Sequence, residues 1–519
     1  MFLKILYLLL CSCLIAPTVH AERIIVIPLD SRPVCYNYII DSMRKVGTQI
    51  IAPPIDFLPN ERSDGNVPAL FQWLEQNAPH ADAAVIATDT LLYGGLIASR
   101  THQISTKELT SRVDKLLSLI DNYGLKTYAY STIMRTPYGS SGRTEPPYYK
   151  KYGTQLYIWS AFLDLAETRK LDKNEMVDFI RWHWSMPPEH RRDWQSRRDK
   201  NLSINKKLIN AVQQNKFHYF VLGNDDTSEL SASHREDRIL RQLASSLSSS
   251  KYGHFAGADQ LGLVLTMRAH NDFYHKHPKI HLVYNQGKGA ATVPSYEDTT
   301  IANTVAAHIS ALGGTTSDEL NADLILVINT PINGQTPDAG DIENTSNATY
   351  NNPNQLASKI QKYLYLNKPV ALADISFSNG SDNALMNSII QKKLTWQLAA
   401  YAAWNTASNS IGYALVQGLL ARDISSSDRQ ELLAVRYLDD WGYQANIRGI
   451  IRQNFISPYA VDEENLSIYT YYLQTLIQTS LEQFMQDKLT DLPNFHVKIP
   501  WWRLFEVGIT LQPNLHYKP

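Results

Sequence analysis

Two adjacent carboxylates, Asp225 and Asp226, close the apolar run Tyr219-Phe220-Val221-Leu222 through Gly223-Asn224. Two carboxyl groups held side by side do not both ionise freely, so one pKa is driven upward. A carboxyl with a raised pKa is suited to act as a general acid near neutral pH. The plainer reading is a turn in which one Asp bonds backbone amides. The pair does not cap the next helix, which is expected to start only after Ser233.

Polar groups recur at the ends of other apolar runs: Asp30 and Arg32 in Pro28-Leu29-Asp30-Ser31-Arg32-Pro33, Asp89 with Tyr93 and Arg100, Arg135 in Met134-Arg135-Thr136, Asp259 in Ala258-Asp259-Gln260, then Asn329, Asp374 and Trp404-Asn405-Thr406. Singly, each fits a turn or a helix cap. Together they suit a parallel α/β fold, which gathers functional groups at the C-terminal ends of its strands. Asp225 and Asp226 are therefore read as catalytic. Asp30, Arg32, Asp89, Tyr93, Arg135, Asp259, Asp374, Trp404 and Asn405 are read as lining the pocket, with Trp404 or Tyr93 as its stacking ring. No cofactor is expected. A rival reading makes Asp30, Asp89, Asp225 and Asp259 ligands of Mg²⁺ or Ca²⁺ in a metal-dependent hydrolase.

The elements that must position these groups alternate. Apolar, β-rich runs at 23–28, 49–52, 83–87, 127–133, 217–223, 254–257, 279–284, 323–328, 369–373 and 398–404 read as strands, several continuous enough for burial on both faces. Between them lie helical patterns. Ser105 and Glu108 form a capping box, apolar residues follow at helical spacing, and Gly124 ends the helix; Ser233 and Glu236 form a second box. The expected fold is α/β: a (β/α)8 TIM-like barrel over residues 22–423, with an open doubly wound parallel sheet as the alternative. Residues 148–215 read as a helical insertion, its Arg191-Arg192 and Arg197-Arg198 pairs as a solvated, salt-bridged face, and residues 424–519 as a mostly helical C-terminal region.

The balance of 49 Lys+Arg against 50 Asp+Glu, without a long basic block, argues against a nucleic-acid partner. Residues 1–21 read as a signal peptide ending in Val19-His20-Ala21, with a lipoprotein signal at Cys13 as the rival, so the expected location is secreted or periplasmic. No other segment is apolar enough to span a membrane. Cleavage after Ala21 leaves Cys35 alone, which excludes an internal disulfide.

Several of these motifs in order, Pro28–Pro33, Thr88-Asp89 with Leu92–Leu96 and Ser99-Arg100, Asn224–Asp226, Gly257–Asp259 and Trp404–Thr406 with Asn409, resemble the bacterial domain-of-unknown-function family 4127 across most of the chain. The chain departs from the expected pattern at Ser31, where an acidic residue is anticipated. The Asp225-Asp226 pair is similar to that of O-GlcNAcase-like hexosaminidases. That likeness implies substrate-assisted hydrolysis: the first Asp orients the 2-acetamido group, and the second is the acid/base. The resulting expectation is a secreted N-acetylhexosaminidase-like glycoside hydrolase with a carbohydrate substrate. A non-catalytic periplasmic glycan-binding protein is the alternative beside the metal-dependent one.

Overall fold

The computed structural model describes residues 21–139, 143–489 and 491–512. Apart from Ala21, the signal peptide and Cys13 lie outside the described residues. The parallel strands form two separate open sheets rather than one closed barrel. The first runs β2-β1-β3-β4-β5-β6, built from β1 (Arg23–Ile27), β2 (Gln49–Ile51), β3 (Ala83–Ala87), β4 (Thr127–Ile133), β5 (Tyr219–Asn224) and β6 (Tyr252–Ala256). The second runs β8-β7-β9-β10-β11, from β7 (Lys279–Tyr284), β8 (Thr315–Thr316), β9 (Leu324–Asn329), β10 (Val370–Asp374) and β11 (Ala400–Ala402).

Both sheets share one winding rule. The second strand pairs on one side of the first, and the third crosses to the other side. This is the doubly wound arrangement, in which loops at the strands' C-terminal ends diverge and leave a crevice. The continuous apolar runs are explained by burial on both faces. Ile24 and Val26 enter a core shared with the second sheet, while Ile25 and Ile27 enter the core on the outer side. Leu324, Leu326 and Ile328 likewise face the shared core, and Ile325 and Val327 face away. Helices Leu261–Phe273, Ile301–Ala311 and Ala407–Leu420 fill the shared core between the sheets.

Half of the Ser105 box forms: its side chain accepts from Glu108 N, Glu108 Oε1 accepts from Arg112 Nε at 2.9 Å instead of reaching back, and Gly124 closes the helix at φ +57°. The second cap is displaced. Ser231, not Ser233, accepts from His234 N and starts the helix at Ala232. Glu236 is not free to reach back, because Arg198 grips both its oxygens at 2.6 and 2.9 Å. Arg197 and Arg198 are buried, in contrast to the solvated face expected of them.

The insertion comprises helices Tyr149–Thr168, Lys173–Trp184 and Pro188–Gln213. The C-terminal region packs helices Ser426–Arg436 and Thr470–Gln486 and an antiparallel hairpin, β12 (Phe495–Lys498) with β13 (Gly508–Leu511), over the outer face of the second sheet. Among the described residues, no helix is long and apolar enough to cross a membrane.

Candidate functional site

Loops from the C-terminal ends of β1, β3, β4, β5 and β6 surround a cavity of about 360 Å³, closed from the far side by Asn379, Asn405 and the segment Trp501–Phe505. Of the expected site residues, Asp30, Arg32, Arg135, Asp225, Asp226, Asp259 and Asn405 line it together.

Each carboxylate is met by a guanidinium. Arg32 lies between Asp30 and Asp259, with Nη2 2.7 Å from Asp30 Oδ2 and 2.5 Å from Asp259 Oδ1. It packs beside the Trp501 ring, 5.2 Å from its centroid. Trp501 is held in turn by donating its indole N–H to Ser31 Oγ at 3.1 Å. Arg100 Nη2 donates to Asp225 Oδ2 at 2.5 Å. Arg135 donates to Glu145 at 2.7 Å, to Thr144 at 2.8 Å and to Asp226 Oδ2 at 3.3 Å. Arg198 reaches the same strand end from the insertion, donating to the carbonyls of Met134 and Arg135 at 2.7 and 3.0 Å. That buried fork fixes where Arg135 leaves the sheet.

The two members of the acidic pair differ. Asp225 is buried against Arg100. Asp226 has 32 % of its side chain open to the cavity and is held at φ +39°, a left-handed conformation uncommon for a residue with a Cβ. Burial in the cleft pushes the Asp226 carboxyl up to about 6, and the charge of Asp225 adds to it; Arg135 and Arg100 hold it back. Burial also raises Asp259, with Arg32 opposing. Both members are thus ion-paired, but Asp225 is buried close to its arginine while Asp226 is more open, lies 3.3 Å from Arg135 and has its carboxyl raised.

The remaining expected residues lie elsewhere. Asp89 is buried beneath the rim, accepting from Thr132 N and Thr132 Oγ1 at 3.0 Å each. Tyr93 is buried and stacks on His102, 5.0 Å between ring centroids. Trp404 is buried in the shared core, edge-on to Phe505 and Tyr413. Asp374 is buried at the end of β10 in the second sheet. Neither of the two proposed stacking rings faces the cavity; Trp501 and Phe505 do. The sequence offered one cue to the segment that supplies them, its density of Trp and Arg at 501–503.

Asp30, Cys35 and Asp259 present ligand atoms within 4.8 Å of one another. The Arg32 guanidinium already occupies the space between the two carboxylates, so a cation there would displace it. Asp225 is taken by Arg100 and Asp89 by Thr132, so the four carboxylates of the metal reading do not share one ligand shell.

Fold and cleft define an α/β protein of two open parallel sheets with a charged crevice at its strand ends. The chain belongs to the family described as "Protein of unknown function (DUF4127)", whose model matches residues 24–510. No curated protein matches it. Solved structures that align with it include an A1-type ketoreductase, at 9 % identity over 76 % of this chain and 74 % of that chain with a TM-score of 0.18. A second is the A-type ketoreductases of a modular polyketide synthase, at 9 % identity over 76 % and 74 % with a TM-score of 0.17. At these TM-scores the likeness carries no argument.

Proposed function

We propose that the protein is an exported glycoside hydrolase that removes terminal 2-acetamido sugars by a substrate-assisted, retaining mechanism. The observation that supports it is the unequal environment of the acidic pair: Asp225 ion-paired to Arg100, Asp226 open to the cavity with its carboxyl near 6. Environments that push two neighbouring carboxyls apart assign the acid and the stabilising charge.

In this reading the acetamido oxygen attacks the anomeric carbon as the bond to the leaving oxygen breaks. Protonated Asp226 gives its proton to that oxygen. Asp225, fixed by Arg100, accepts from the acetamido N–H and balances the positive charge that develops on the ring formed. Asp226, now a carboxylate, takes a proton from the water that adds to the anomeric carbon. The acetamido group is then restored with net retention. Tyr296, exposed and lining the cavity, offers an aromatic face to the sugar in place of Trp404 and Tyr93.

The test is a screen of aryl glycosides. Wild type should release the aryl alcohol from a 2-acetamido-glycoside and not from the matching 2-hydroxy sugar. If no member of a broad panel is cleaved, the hydrolase reading falls. Saturable glycan binding without turnover would then favour the binding-protein reading.

A further inference from the structure

The segment that lends Glu464 to the cavity also carries an aromatic group, in which Phe455 and Tyr469 pack half-buried on the second sheet's outer core while Tyr459 and Tyr472 stay exposed. Phe455 is the centre of the group, with ring centroids 5.8 Å from Tyr459, 5.4 Å from Tyr469 and 5.4 Å from Tyr472. Tyr459 is 72 % exposed and Tyr472 55 %. A contiguous group of exposed rings, unlike scattered single ones, is a candidate binding surface.

This surface is tied directly to the cleft. Glu464, between Tyr459 and Tyr469 in the chain, lines the cavity. Its neighbours pair with the segment that closes the cavity: Leu466 N donates to Trp502 O at 2.6 Å, and Leu504 N donates to Glu463 O at 2.9 Å. Arg62, from the loop after β2, lies over the Trp502 ring at 4.1 Å and donates to Asn465 Oδ1 at 3.0 Å. Trp502 is held at φ +50°, which a bulky residue rarely adopts. Trp501 is buried and lines the cavity, while Trp502 is half-buried and lies outside that lining, under Arg62.

We propose that Phe455, Tyr459 and Tyr472 form a distal subsite for an oligosaccharide chain whose terminal sugar occupies the Asp225–Asp226 cleft. The inference rests on the hydrolase reading and adds a substrate class to it: an extended glycan rather than a small glycoside. A phenol presents a flat apolar face to the C–H side of a pyranose, and its hydroxyl tip stays free for the sugar's hydroxyls. Glu464 in the cavity wall lies five residues from both Tyr459 and Tyr469, so a linear ligand is the one that would reach both places.

The double variant Tyr459→Ser/Tyr472→Ser removes two exposed rings. It is compared with wild type on an aryl 2-acetamido-glycoside, on a tetrasaccharide of N-acetylglucosamine, and by depletion onto chitin beads. KM for the tetrasaccharide should rise roughly tenfold, the value of two lost stacking contacts. kcat/KM on the aryl glycoside should stay within about twofold, and Tyr459→Phe should keep wild-type behaviour. Equal losses on both substrates, or no loss on either, overturn the subsite. So does a variant that binds beads normally but turns a sedimenting dimer into a monomer, which would make the patch an interface between copies. If wild type cleaves neither substrate, the hydrolase reading fails separately. Bead depletion then decides the subsite: binding lost in the double variant keeps it, and binding retained removes it.

Discussion

The two sheets wind alike and both end in acids, yet their rims have opposite characters. At the first rim, Asp30, Asp225, Asp226 and Asp259 face arginines around an open cavity. At the second, Asp374 accepts from Asn329 Nδ2 at 2.8 Å, from Asp382 N at 2.8 Å and from the Tyr401 hydroxyl at 3.0 Å. Asp382 caps the helix Asn383–Gln391 and accepts from Asn329 and Asn351. No guanidinium meets these two side chains among the described residues, and burial with mutual repulsion pushes Asp374 up to about 7. An acid at a strand end is therefore not in itself a site. At the first rim guanidinium partners oppose the burial that raises Asp226 and Asp259, beside a space a ligand can enter. Neutral donors lock the second rim into structure.

Substitutions separate the two rims most sharply through turnover. Asp226→Asn should lower kcat on a 2-acetamido-glycoside by roughly 10²–10⁴-fold, the usual worth of a general acid/base, while the thermal midpoint stays near that of wild type. Asp382→Ala at the second rim should do the reverse. It removes a helix cap and strands buried amides, costing about 2–4 kcal/mol in urea unfolding with little change in kcat. An Asp382→Ala variant that folds normally but loses turnover would erase the distinction.

A pH profile gives a finer test. In the proposed mechanism the acid form of Asp226 is the active one, so kcat/KM should fall as pH rises through about 6. Arg135 and Arg100 favour the carboxylate, so Arg135→Gln should move that alkaline limb to higher pH. A limb that stays in place would show that another group sets it.

The smallest effect belongs to Asp89, which sits below the first rim without entering the cavity. Burial raises it to about 7, with the Thr132 bonds opposing. Its ionised form therefore costs the folded state. Wild type loses this contribution as pH rises from about 4, where the unfolded chain ionises, to about 7. Asp89→Asn should match wild type near pH 4 and gain on it by pH 8 in urea unfolding, with turnover changed less than about twofold. A large loss of turnover would return Asp89 to the site.

Much of the first rim was legible because local rules apply there. Runs such as Ile24-Ile25-Val26-Ile27 are too apolar to be anything but doubly buried strands, and the polar residues just beyond such a run must lie at a strand end. Other readings failed where a distant partner decided the outcome. Arg197 and Arg198 alternate with acids as a solvated face would, but Glu236 and the Met134 carbonyl draw Arg198 inside. Ser31 departs from the expected pattern, yet it holds the Trp501 indole. Trp404 has the residue type of a sugar platform, but the packing of Phe505 and Tyr413 buries it.

Alternating apolar runs and helical patterns determined an α/β chain with parallel strands, and the position of Asp225 and Asp226 after β5 determined a strand-end acidic pair. Both arise from the preferences of neighbouring residues. Whether the strands close into a barrel or divide into two sheets depends on which edge each strand joins. That is a contact between residues far apart in the chain, and only the tertiary structure decided it. The same folding brought Trp501 and Arg503 across to the first sheet, paired the acids of the first rim with arginines, and sealed Asp374 away from the cavity.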